Sequence, residues 1–147
     1  MTDTALIALS EDELDVLVSI AIRRAEILEE TELPAAGEAW REVMVYEQRL
    51  AALTRPEEIP GGVARVGAVA AALAAGERDE AARLAGQYFA EHALPFERRA
   101  AIERVFHEDH LRLAQRFPAL AKSGVMSELG EWRASSSKHP RVFPRAA

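Results

Sequence analysis

The sequence predicts an all-α protein, a single-domain bundle of five to six amphipathic helices built largely from antiparallel hairpins. Three observations predict it. Apolar residues recur every three or four positions from Leu14 to Trp132, and no segment alternates in twos as a half-buried strand would. Helix-ending Pro and Gly punctuate this periodicity at intervals that suit short helices. Hydrophobic residues make up 49% and charged residues 29% of a 147-residue chain, enough apolar surface for one core and too much for a disordered chain.

The first helix has a defined start. Ser10 and Glu13 form an S-x-x-E capping box just ahead of the periodic run. Leu14, Leu17, Val18, Ala21, Ala25 and Leu28 make one stripe, and Val16, Ile20 and Ile27 make a second on another face. Two apolar faces imply burial on two sides. Either the helix sits centrally in the domain, which is the expectation, or its second face packs on another chain, with a homodimer as the alternative. Its end is unusual. Glu26, Glu29, Glu30 and Glu32 gather where the helix dipole favours cations. A solvated patch explains them, and the same patch is the candidate surface for a basic partner.

Pro34 is expected to break the chain, with a second helix from Ala36 to Leu53 packing Trp40, Val43, Tyr46, Leu50 and Leu53 inward. The connection Leu33-Pro34-Ala35 makes the first two helices an antiparallel hairpin. Trp40 and Tyr46 read as core or core-edge residues rather than ligand-stacking groups. Residues 54–62 hold two prolines and two glycines, and are expected to form a loop or a hinge. A third helix covers Val63 to Ala75, with Val66, Val69, Ala70 and Leu73 inward and alanine on its other faces. Gly76 suits the left-handed residue that ends it. A fourth runs from Asp79 to His92 with Ala81, Leu84, Ala85, Tyr88 and Phe89 inward, and Pro95 stops it. A fifth runs from Phe96 to Phe117 on Ile102, Phe106, Leu113 and Phe117, with Val105 beside them. Pro118 then opens a sixth, carrying Leu120, Val125, Met126, Leu129 and Trp132 and weakened by Gly124 and Gly130. The helical domain is thus expected over 1–133, followed by an irregular tail over 134–147.

The run Ala70-Ala-Ala-Leu73-Ala-Ala-Gly76-Glu-Arg-Asp79-Glu80-Ala81 resembles the turn of a tetratricopeptide hairpin. Gly76 matches the turn glycine, and Ala81 matches the small residue where the helices cross. The likeness is local, over residues 66–95, with no second copy at the family's spacing of about 34 residues. What it implies is recognition of a peptide or protein in a helical groove.

Charge and composition narrow the function. The net charge is −6, yet residues 133–147 carry Arg133, Lys138, Arg141 and Arg145 with no acid, so the remainder stands at −10. An acidic body repels nucleic-acid phosphates. The five arginines of the fifth helix, Arg98, Arg99, Arg104, Arg112 and Arg116, are interleaved with Glu97, Glu103, Glu108 and Asp109, the pattern of a solvated face rather than a recognition helix. No basic amphipathic helix invites a membrane surface, and no apolar run reaches the roughly 20 residues of a membrane span. The start of the chain lacks the basic and small-residue features of a secretory signal. Cysteine is absent. A cytoplasmic location is the expectation.

One cluster invites chemistry. Glu103, His107 and His110 fall at i, i+4 and i+7 on one helical face, a half-site for Zn²⁺ or Fe²⁺ that Glu91 or His92 could complete. The paired Glu-x-x-His of carboxylate bundles and the His-Glu-x-x-His of zinc peptidases are both missing. No nucleophile elbow or phosphate-cradling loop is present either. The reading is therefore a non-catalytic protein–protein interaction module, needing no cofactor: an adaptor, an inhibitor or immunity-type partner, or an accessory subunit. A metal- or small-ligand-binding bundle on the Glu103/His107/His110 face is the alternative.

Overall fold

The computed structural model describes residues 5, 6, 8–31 and 33–118. The expected sixth helix, the basic tail and Glu32 lie outside the described residues. The described residues contain five helices: α1 (Glu11–Thr31), α2 (Leu33–Leu53), α3 (Ile59–Ala74), α4 (Arg78–Phe89) and α5 (Phe96–Arg116). Among the described residues there is no strand.

The packing order is α1 on α2, α2 on α3, and both α4 and α5 on α3. Cross-helix pairs give the directions. Arg24 of α1 meets Glu42 of α2 at 3.1 Å, and Glu47 of α2 feels Asp15 near the start of α1, so these two helices are antiparallel. Gly67 of α3 faces Glu47, and Gly37 at the start of α2 faces Ala75 just past the end of α3. That pair is antiparallel too. Gly62 and Arg98 meet where α3 and α5 both begin, so α5 runs parallel to α3. The centre of the molecule is therefore α3, not the first helix. Its alanines and glycines let three neighbours approach: Ala64, Ala68, Ala71, Ala72, Val69 and Leu73 are all buried.

α1 begins as its spacing predicts. The Ser10 hydroxyl accepts from the Glu13 amide at 3.2 Å and donates to the Glu13 carboxylate at 3.1 Å. α2 starts earlier than expected. Pro34 does not break the chain but occupies the first turn, where a missing N–H costs nothing. α3 also starts earlier, at Ile59, so Pro60, Gly61 and Gly62 belong to its first turn rather than to a loop. The glycines are there for space. A Cβ on Gly61 would sit 1.9 Å from the Arg55 carbonyl oxygen, and one on Gly62 would sit 2.8 Å from the Arg98 side chain.

At the other end of α3, Gly76 has φ of +79°. Its amide donates to the Leu73 carbonyl at 3.0 Å and the Glu77 amide to that of Ala72 at 2.9 Å, the Schellman pattern that only a left-handed residue allows. α4 ends at Phe89, sooner than His92, because the chain then turns through 90–95 into α5. Along α5 the predicted stripe is only partly covered: Ile102 is buried, Val105, Phe106 and Leu113 are half-buried, and Phe117 is exposed.

Two buried arginines hold the 90–95 turn. Arg65 of α3 grips the Glu91 carboxylate with two bonds, Nε to Oε1 at 2.8 Å and Nη2 to Oε2 at 2.9 Å. The same guanidinium donates to the carbonyls of Gly61 at 2.9 Å and Thr54 at 3.2 Å, and lies 5.7 Å from the centre of the Tyr88 ring. Arg99 of α5 is 1% exposed. It donates to the carbonyls of Phe89 at 2.7 Å, Leu94 at 3.0 Å and Glu91.

Two predictions follow from this packing. Gly61→Ala should lower the unfolding free energy by about 1–3 kcal/mol through the forced overlap, whereas Gly86→Ala, with open space around its α4 position, should raise it by about 0.5–1 kcal/mol. Urea denaturation of both variants checks the sign and the contrast. Glu91→Gln should cost about 3 kcal/mol by the same measurement, because it strands the Arg65 charge in the interior.

Candidate interaction surface

The second apolar stripe of α1 is not buried in the interior. Val16, Ile20 and Ile27 are 59%, 61% and 46% exposed. At about 100° per residue these three lie within about 40° of one another around the helix. Their mean direction is about 150° from that of Leu14, Val18, Ala21 and Ala25, which are buried against α2. Because α1 is the end of the stack, nothing among the described residues covers its outer side. A shallow depression of about 540 Å³ lies there, lined by Ser19, Ile20, Arg23, Arg24, Ile27 and Leu28.

Charged residues border this stripe. Arg23 lies 3.6 Å from Glu26 one turn on, and Arg24 is tied to Glu42. Glu26, Glu29 and Glu30 are exposed, and the last turn of α1 holds no basic residue. The described part of this patch sits at the C-terminal end of the same outer helix.

His107 is exposed, and Glu103 and His110 are half-buried. Glu91 does not complete a ligand set, since its carboxylate is held by Arg65. His92 is exposed on the 90–95 turn. Among the described residues no three His, Asp or Glu side chains are grouped so as to hold a metal ion.

A second concavity, of about 390 Å³, lies between the start of α2, the turn after α3 and the end of α5. Trp40 lines it, with its indole N–H buried and without a hydrogen-bond partner. Arg78 and the buried Asp109 form an ion pair there at 3.3 Å, with Arg112 and Arg116 beside them. Trp40 is thus a half-buried residue at the edge of the core, as expected, and Asp109 is a structural counterion. Sequence periodicity gave no sign of that pairing, because the partners are far apart in the chain.

Glu47 is the other group that sequence reading passed over. It is 5% exposed on α2 against α3. Burial, helped by the charge of Asp15, pushes its carboxyl from the ordinary 4.5 up to about 7. The close fit against Gly67, where a Cβ would lie 2.4 Å from Glu47 Oε1, explains why a small residue faces it.

Compared with protein-family models, curated proteins and solved structures, the chain matches none. No helix among the described residues is long and apolar enough to cross a membrane.

The state of Glu47 predicts a pH dependence. Below about 4.5 the carboxyl is protonated whether folded or unfolded. Between 4.5 and about 7 the folded chain retains a proton that the unfolded chain releases, so stability falls as pH rises through that window. The loss should reach about 3 kcal/mol above the window. Urea midpoints of the wild type and Glu47→Gln at pH 5 and pH 8 test this. The variant should lack this fall and be the more stable protein at pH 8.

Proposed function

We propose that this protein is a non-catalytic protein–protein interaction module that engages its partner through the outer side of α1. The observation that carries the reading is the exposed stripe of Val16, Ile20 and Ile27 on the end helix, facing away from the core. Scattered exposed apolar residues are ordinary, but three aligned on one helical face and bordered by charge have the form of a docking strip. The adjoining Glu26, Glu29 and Glu30 supply an acidic end that favours a partner with a basic rim. The local likeness to a tetratricopeptide hairpin supports the same class of function. An adaptor, an inhibitor or immunity-type partner, and an accessory subunit all fit it.

Chemistry finds less support. The two most buried charged pairs, Arg65–Glu91 and Arg78–Asp109, join a cation to an acid within the protein. Neither presents a nucleophile or an oriented base to a cleft.

A photo-crosslinking residue placed at Ile20, with the same residue at Gly86 on α4 as the reference, tests the reading in cells of the native source. Discrete protein adducts are expected at position 20 and not at 86. Adducts at neither site, or equally at both, remove the α1 surface as an interaction site.

A further inference from the structure

Helix α1 carries more than an apolar strip: its charges set a register. The outer face reads Glu13, Val16, Ile20, Arg23, Ile27, spaced alternately three and four residues apart as in the seam of a helix pair. A seam with one acid near its start and one base past its middle is complementary to itself when reversed.

We infer that the occupant of this face is a second copy of the chain, joined by antiparallel pairing of α1 with α1 about a two-fold axis level with Val18. The inference rests on the interaction reading above and names the partner. In this register Val16 lies level with Ile20 of the second copy. Arg23 lies level with Glu13 and beside Asp12. Each contact occurs twice, as an isologous interface demands.

The alternatives are worse on charge alone. Parallel pairing sets Glu13 against Glu13 and Arg23 against Arg23. An antiparallel pairing that instead matches Val16 with Ile27 sets Glu13 against Glu30 and places Arg23 on Ile20. Like charges level with one another are repulsive, and a cation seated on an apolar side chain is left without a counterion. The reversed register about Val18 is the one that pairs apolar with apolar and acid with base. One contact opposes it: Asp12 approaches Glu26 of the second copy, though Arg23 stands between them and already lies 3.6 Å from its own Glu26.

The seam is modest. Helix α1 has 21 residues and so spans about 31 Å. A pairing of this size is expected to exchange, dimeric at about 100 µM and largely monomeric at about 1 µM.

The test uses the full chain, which contains no cysteine. Sedimentation equilibrium should give a mass that climbs toward twice the chain mass with concentration. Ser19→Cys places two thiols about 3 Å apart along the axis, whereas Thr31→Cys places them about 39 Å apart. A short bismaleimide should therefore link the first variant into dimers and not the second. Ile20→Asp should weaken the dimer at least about a hundredfold. Arg23→Glu should weaken it about tenfold, and the double variant Glu13→Lys/Arg23→Glu should recover most of that loss. Circular dichroism of each variant reports whether α1 remains helical.

A wild-type chain that stays monomeric, or equal linking at positions 19 and 31, overturns the homodimer. So does a monomer whose Ile20 photo-label links only within its own chain, which assigns the face to another segment of the same molecule. If the wild type is monomeric while the Ile20 label still forms adducts with a different protein, the homodimer fails and the interaction reading stands. If neither occurs, both fail.

Discussion

The fold depends on how α3 disposes of a guanidinium in its interior. Arg65 is placed on the helix that three others surround, where an unpaired charge is prohibitive. Its solution is Glu91, carried on the turn between α4 and α5. That choice fixes the turn against the start of α3, and Arg99 reinforces it by binding the carbonyls of Phe89, Glu91 and Leu94. The two arginines divide the work on one residue: Arg65 takes the Glu91 carboxylate and Arg99 takes its backbone. α4 and α5 thereby settle on α3 through a shared polar clamp, and the Arg78–Asp109 ion pair ties them to each other. Such a clamp contributes less to net stability than its bonds suggest, since both arginines lose their hydration. What it supplies is geometry: the carbonyls of Phe89, Glu91 and Leu94 are each given a guanidinium donor.

The same crowding decides the residue types along α3. A helix buried on nearly every side must present small side chains, or its neighbours cannot close to packing distance. Gly61, Gly62 and Gly67 mark the tightest approaches, to the backbone of Arg55, the stem of Arg98 and the carboxylate of Glu47. The last is telling. A carboxylate that close to a helix backbone, and that far from water, is held nearer neutrality than its type predicts. The centre of this molecule is therefore dense, alanine-rich and partly polar, rather than a pool of large aliphatic side chains.

Local signals were legible in the sequence because their causes are local. The Ser10 cap, the left-handed Gly76 and the start of α5 after Pro95 each follow from a few adjacent residues, and the period of the apolar positions identified every described helix. The errors came where an identical local signal has two tertiary meanings. Pro60-Gly61-Gly62 reads as a loop, yet proline is accommodated in a first turn and glycine is required wherever another backbone intrudes. Arg98 and Arg99 read as an exposed basic pair, but consecutive helical residues point about 100° apart, so one reached the core while the other lies against Gly62. Asp109 read as part of a solvated, mixed-charge face, and its burial depends on Arg78, which no periodicity links to it. For α1 the two apolar faces were visible, but only the position of the helix at the end of the stack decides which one remains open.

An end helix in a stack of this kind faces a conflict. It needs one apolar face to join the core, and any residue larger or greasier than necessary on the other face invites indiscriminate association. α1 does not resolve this by making its outer face wholly polar. It keeps three aliphatic residues in line, sets Glu13 ahead of them and Arg23 among them, and places these two charges toward opposite edges of the line. Apolar area alone cannot distinguish one helix partner from another, because every amphipathic helix offers it. Charges placed at fixed steps along the seam can, because a mismatched partner meets like charge or leaves a cation against hydrocarbon. In the proposed pairing, the outer face of α1 would thus bind by charge register more than by apolar area, a combination that suits reversible pairing with a partner of complementary sequence better than permanent burial.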